Sequence, residues 1–222
     1  RTLFTGIQGT IKSFIMASAF DNNPDKIIVI TDNQYHASEL YNDLSEFTGE
    51  ENVFQYFSDD NIFAEYAIAS KERIAYRLDA LAFLQDDSAT GFLIIPIFAL
   101  RNLLPDPNYF NSCNITFTIG QECDITEIST QLSTLSFEAV QRVMSPGEFS
   151  KRGDILDIYP LNAENPIRIE FFGDEIDGIR FFDIDSQRSL QEIDMIIVTP
   201  ASDFILSQLD FERGINKLSS IT

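Results

Sequence analysis

Gly6, Lys12 and Ser13 stand in the order of a phosphate-binding loop, G-x-x-x-x-G-K-[ST]. In such a loop backbone N–H groups close around a nucleotide's phosphates, the lysine reaches them and the hydroxyl meets magnesium. Gly9 lies inside the loop, but Ile11 takes the place of the second glycine. A β-branched side chain there restricts the backbone and fills space a nucleotide needs. A working site also needs a carboxylate for the metal at the end of a later strand. The expected strand, Phe92-Leu93-Ile94-Ile95-Pro96-Ile97, ends in none. The loop thus reads as degenerate, with no nucleotide or other cofactor expected.

A second constellation lies in Pro166-Ile167-Arg168-Ile169-Glu170-Phe171-Phe172-Gly173-Asp174. Its period of two predicts a strand with Ile167, Ile169 and Phe171 inward and Arg168, Glu170 and Phe172 outward. Gly173-Asp174 supplies a turn. A second strand follows, with Ile179 and Phe181 inner and Arg180 and Phe182 outer. An exposed phenylalanine between arginine and glutamate has the composition of a protein-docking hot spot. The same pattern also fits a merely solvated hairpin face, or a Phe172 covered by a loop or helix.

No other residues assemble a site. The single His36 opens a helix and has no evident nucleophile beside it, which leaves out a Ser-His-Asp or Cys-His arrangement. Cys113 and Cys123 make neither a disulfide framework nor a zinc site, consistent with a reducing cytosol. Asp86-Asp87 reads as a pair of loop carboxylates. The chain has 222 residues, 44% of them apolar and twenty of them Phe, enough for one large core or two small ones. Its apolar run Phe92 to Leu100 is too short for a membrane span and contains Pro96. No signal peptide is expected from the residues at the start, and a first residue of Arg suggests a piece of something longer. A net charge of −20, from 15 basic and 35 acidic side chains, opposes binding to a nucleic-acid duplex and favours a protein partner.

The elements that must position these residues fall in two groups. A glycine loop leads into a helix through Phe14 and Met16; a strand over Lys26 to Ile30 precedes a helix from Gln34 to Phe47, capped by Thr31-Asp32-Asn33. A strand near Glu51 to Phe57, a helix from Ile68 to Leu84 with Ile74, Leu78, Leu81 and Ala82 as its apolar positions, the strand of Phe92 to Ile97 and a helix near Ala99 to Leu104 complete an α/β alternation. Pro105 and Pro107 mark a change of architecture. Beyond them come a strand at Asn114 to Ile119, a helix at Ile125 to Ser133, an extended stretch at Phe137 to Met144, and a meander of Asp154 to Tyr159, Pro166 to Phe172, Ile176 to Phe182 and Asp194 to Thr199. The expected architecture is a parallel-sheet α/β domain of degenerate phosphate-loop type over residues 1–112, then an α+β domain with an antiparallel sheet over 113–200. Residues 201–222 begin a further helical segment.

The segments Pro146-Gly147-Glu148-Phe149, Lys151-Arg152-Gly153-Asp154, Arg168 to Asp177 and Phe182 to Ser189 resemble the second domain of the bacterial transcription-repair coupling factors. The excision-repair UvrB family carries a looser version, and Asp183-Ile184-Asp185-Ser186-Gln187-Arg188 is closer to the coupling factors. The resemblance implies a UvrB-like domain 1a without a functional phosphate loop, a UvrA-binding domain 2 and the start of domain 1b. It places partner contacts at Arg152, Arg168 and Phe172, with Glu170 and Arg180 flanking. It further implies a bacterial cytoplasmic adaptor that recruits UvrA in nucleotide excision repair at stalled RNA polymerase. This stretch would not be an enzyme, and the polymerase contact and ATP-driven DNA translocation would belong to other parts of the parent protein. UvrB inserts an aromatic-rich hairpin into DNA; the matching Gln55 to Tyr66 is too short and carries Asp59, Asp60 and Glu65 without a basic residue. Two other readings stay open: a UvrB-type nucleotide-dependent DNA-loading module, and an intramolecular clamp that holds another domain of the same protein inactive.

Overall fold

The structure, a computed structural model, describes residues 5–7, 9–57, 71–101, 104–203 and 205. The chain divides into two compact units, Arg1–Leu103 and Leu104–Thr222.

In the first unit α1 (Ile11–Asn22) precedes β1 (Lys26–Thr31), α2 (Gln34–Thr48), a 3-10 turn (Glu50–Asn52), β2 (Val53–Gln55), α3 (Lys71–Gln85), β3 (Gly91–Pro96) and a second 3-10 turn (Ile97–Arg101). The three strands form a parallel sheet in the order β1-β3-β2. The central strand β3 is buried along its whole length, as expected for a strand covered on both faces. Phe92 and Ile94 pack on one side with Ala17, Phe20, Ala37 and Leu44. Leu93 and Ile95 pack on the other with Tyr56, Ala80 and Phe83. Asn33 caps α2, its side chain accepting from the His36 N–H.

Two local expectations change. The buried stripe of α3 is Leu78, Leu81, Ala80 and Phe83, whereas Ala82 is exposed. The stretch at Glu51 to Phe57 contributes only three residues of strand, after a 3-10 turn. The expected strand at the chain start, most of the Gln55 to Tyr66 stretch and the segment beyond Ile205 lie outside the described residues.

Gly91 makes a close backbone approach in the first unit. It adopts φ +142°, and a Cβ there would stand 2.5 Å from the Asn52 carbonyl oxygen. Gly91→Ala is therefore expected to destabilise this unit by about 1–2 kcal/mol in urea unfolding, since neither backbone has a flexible tip that could move aside. An unchanged midpoint would show that the β3 entry relaxes freely.

The second unit opens with α4 (Pro107–Ser112), β4 (Ile115–Thr118), α5 (Ile125–Thr134) and β5 (Glu138–Ala139). It continues with β6 (Glu148–Arg152), β7 (Ile155–Tyr159), β8 (Ile167–Phe172), β9 (Glu175–Phe182), β10 (Ser189–Glu192) and β11 (Met195–Val198). Six strands form one sheet, β10-β9-β8-β7-β6-β5, antiparallel except for the short β5–β6 pairing. The meander is thus larger than the sequence suggests and ends differently. Strands β6 and β10 belong to it, while β11 leaves it to pair antiparallel with β4, Ile196 opposite Phe117 and Val198 opposite Ile115. The sequence concealed β6 because Ser150, Lys151 and Arg152 break the apolar alternation, and β10 because all four of its residues are exposed. β10 is held by its neighbouring strand rather than by an apolar face of its own, and β6 buries only Phe149 among its apolar positions.

Within this sheet Ile167, Ile169 and Ile158 are fully buried, with Phe171 and Ile179 nearly so. Helix α5 buries Ile128 and Leu132, and its N-terminus is capped by Asp124, which accepts from the N–H groups of Thr126 and Glu127. Among the described residues no helix is long and apolar enough to cross a membrane.

Candidate protein-docking face

The alternation along β8 fixes its two sides. Ile167, Ile169 and Phe171 are buried, Arg168 and Glu170 are half-buried, and Phe172 is 83% exposed. Gly173 follows Phe172 with φ +67° and, with Asp174, makes the two-residue link to β9, a position that favours glycine. A neighbouring two-residue link, Gly153-Asp154, joins β6 to β7. The Phe171 N–H donates to the Asp154 carbonyl at 2.8 Å, so the two hairpin ends lie side by side.

At the centre of the outer face sits Asp157, with a side chain only 2% exposed. It is the cross-strand partner of Arg168. Arg168 grips it with two bonds, Nε to Oδ1 at 2.7 Å and Nη2 to Oδ2 at 2.8 Å. The same Nη2 also donates to Gln187 Oε1 at 3.1 Å. Arg152, whose side chain is 47% exposed, donates from Nη2 to Asp157 Oδ2 at 2.7 Å. The planar side-on geometry suits a carboxylate held by a guanidinium. The Arg168 guanidinium also lies 4.4 Å from the centroid of the Phe182 ring, a cation–π distance.

Arg180 and Glu170 form a second pair on this face, Arg180 Nη1 donating to Glu170 Oε2 at 2.7 Å and Nη2 to Oε1. The hydrogen bond from Arg180 holds the Glu170 carboxyl below its usual range against the opposing effect of burial. These two charges largely satisfy each other. Arg152 and Arg168 share one carboxylate between them, which leaves a local positive excess on a chain of net charge −20.

The five residues expected at a docking face therefore reach one surface in unequal states. Phe172 is free and exposed, Arg152 is half free, Arg168 is held flat, and Glu170 and Arg180 are paired. One expectation for the second strand is corrected. Phe182 lies on the Arg168 side, as the period requires, but is 1% exposed and sits beneath that guanidinium, while Phe181 on the inner side is only half-buried. Period assigns a side of the sheet, and what covers that side is decided elsewhere in the chain. A register shift between Glu170 and Phe171 adds an extra residue on β9, so Ile176 and Ile179 are both buried although three apart. Asp157 and Gln187 were not anticipated. Asp157 did leave a trace, as a carboxylate interrupting the apolar run Ile155-Leu156-Asp157-Ile158-Tyr159.

The stretch with the residue order of a phosphate loop is arranged otherwise than expected. Ile11 is 59% exposed on the first turn of α1, so its bulk is not what fills the neighbouring cleft. That cleft, of about 980 Å³, is lined by Gly6, Gly9, Lys12 and Ser13 but also by Asp32, Glu39 and Asp43. The Ser13 hydroxyl is buried and donates to Asp43 Oδ2 at 2.7 Å, which occupies the group a metal would need. The hydrogen bond with His36 holds the Asp32 carboxyl below its usual range, and this keeps a negative charge at the cleft.

Residues 115–204 match the family model of the UvrB interaction domain. Over 219 residues, 98% of the chain, it is 35% identical to the transcription-repair-coupling factor of Bacillus subtilis (strain 168). Over 207 residues, 93% of the chain, it is 32% identical to the factors of that name from Staphylococcus aureus strains bovine RF122 / ET3-1 and MRSA252. The chain spans 18% of the length of each of these curated relatives. With a match to the UvrB interaction domain over residues 115–204 and similarity along nearly its whole length, the chain is similar to a UvrB-like segment of the transcription-repair coupling factors.

Proposed function

We propose that this chain is an adaptor that docks UvrA through the face of Phe172, Arg168 and Arg152. It would thereby link a transcription-repair coupling factor to nucleotide excision repair. The observation that carries the reading is Phe172: an aromatic ring 83% exposed on the same side of β8 as Arg168, within the residues that match the UvrB interaction domain. Of the exposed large apolar side chains among the described residues Phe172 is the most exposed, and an interface uses such a ring as an anchor. The arginines would meet acidic groups on the partner and set orientation and association rate more than affinity. Contacts with RNA polymerase and DNA, and ATP-driven translocation, would lie in other parts of the longer protein.

The rival reading as a nucleotide-dependent DNA loader finds little support in the first unit. A triphosphate entering the cleft would meet three carboxylates and a serine already bonded to one of them. Magnesium-ATP is accordingly expected to leave the melting temperature unchanged. Binding at 100-fold over its dissociation constant would instead add about 2.7 kcal/mol, an easily seen rise. Calorimetric titration of the chain into purified UvrA, with and without ATP, tests the adaptor. Binding by the wild type that weakens in Arg168→Ala and Phe172→Ala supports it; wild-type affinity in both variants removes it.

A further inference from the structure

We infer that Asp157 is a positioning residue for docking: it touches no partner itself but holds Arg152 and Arg168 in the geometry that a partner meets. The inference rests on the docking reading above and adds to it a residue that no exposed surface would reveal.

A carboxylate at this point of β7 is not required by packing. Its neighbours Leu156 and Ile158 are fully buried, and an apolar residue of similar volume would cover the strand without the cost of taking a charge out of water. The cost of taking the charge out of solvent is offset by three charge-assisted hydrogen bonds, two from Arg168 and one from Arg152. Buried ion pairs of this kind contribute little net stability over apolar replacements, and their attested use is to fix one arrangement out of several.

What they fix here is specific. Arg168 uses Nε and Nη2 on Asp157 and Gln187, and its ring-facing plane lies on Phe182. No bond of Nη1 occurs among the described residues' hydrogen bonds, and the side chain keeps 13% of its surface exposed. Arg152 likewise commits one nitrogen to Asp157 and leaves the remainder of a half-exposed guanidinium available. Two arginines side by side would otherwise repel and spread over many rotamers. With Asp157 between them they are ordered before the partner arrives, which lowers the entropy lost on binding. The acceptor that such a pair suits is a carboxylate of the partner.

The test is a double-mutant cycle on UvrA affinity using Asp157→Asn, which keeps the shape and removes the charge. In the wild-type background Arg168→Ala is expected to raise Kd about tenfold. Asp157→Asn alone should raise it roughly fivefold, and in that background Arg168→Ala should then cost less than about twofold, since the arginine is no longer held. A purely structural role would leave the two effects additive. If Asp157→Asn binds like the wild type while Arg168→Ala does not, the positioning role is overturned and the docking face stands. Should the Asn variant fail to fold, arginine side-chain NMR of the wild-type chain decides. A slowly exchanging Arg168 Nε–H signal already present without UvrA supports the inference, and one that becomes protected only on binding overturns it.

Discussion

Phe172→Ala is expected to weaken UvrA binding by about 2 kcal/mol or more, roughly thirtyfold in Kd, while leaving the fold intact. The two halves of the expectation come from the same number. A ring that is 83% exposed makes few contacts with its own chain, and substitutions at such positions usually move stability by less than about 0.5 kcal/mol. A phenylalanine covered at an interface removes on the order of 150–250 Å² from water. Even after the cost of ordering the interface, that burial leaves a large share of binding energy on one side chain. The Gly173 turn and the backbone bond between the hairpin ends fix the strand end that carries the ring. Calorimetry paired with a thermal melt measures both halves. Unchanged affinity would mean that the partner seats elsewhere, and a large fall in melting temperature would mean that the ring packs within the chain.

Asp157→Ala is expected to destabilise the second unit by about 3–5 kcal/mol, the usual cost of removing one member of a buried ion pair. The Arg168 guanidinium would keep its charge, be 13% exposed, lie on Phe182 and have lost both of its strongest bonds. A melting temperature lower by on the order of 10–20 °C is the corresponding result for a unit of this size. Glu170→Ala makes the internal comparison. Glu170 is about a third exposed and its partner Arg180 has access to water, so its loss should cost no more than about 1 kcal/mol. Equal losses in the two variants would refute the distinction between a buried and a surface pair. Urea unfolding followed by circular dichroism resolves it.

Much of the second unit was legible before any coordinates. The alternation of Ile167, Ile169 and Phe171 with Arg168, Glu170 and Phe172 placed each side chain of β8 on its correct side, because a strand's period admits two registers and only one buries the isoleucines. The glycine-led turn and the Asn33 cap were legible for a similar reason, since a residue with special backbone or hydrogen-bonding chemistry acts on its immediate neighbours. Two strands escaped. One carries Ser-Lys-Arg and the other is wholly exposed, and both are secured by pairing with strands distant from their own side chains' preferences.

By itself, then, the amino-acid order determined that a parallel sheet with helices precedes a mainly antiparallel one, the sides of the β8 side chains, the acidic character and the outward direction of the aromatic at the turn. Each of these follows from local geometry or from simple composition. Only the tertiary structure decided that β11 pairs with β4, that Phe182 is roofed by Arg168, that Ser13 is bonded to Asp43, and that one buried carboxylate gathers two arginines. Every one of those joins residues separated along the chain. Period and propensity report which way a side chain points, but whether it meets water, a ring or an opposite charge depends on which distant element the fold sets in front of it.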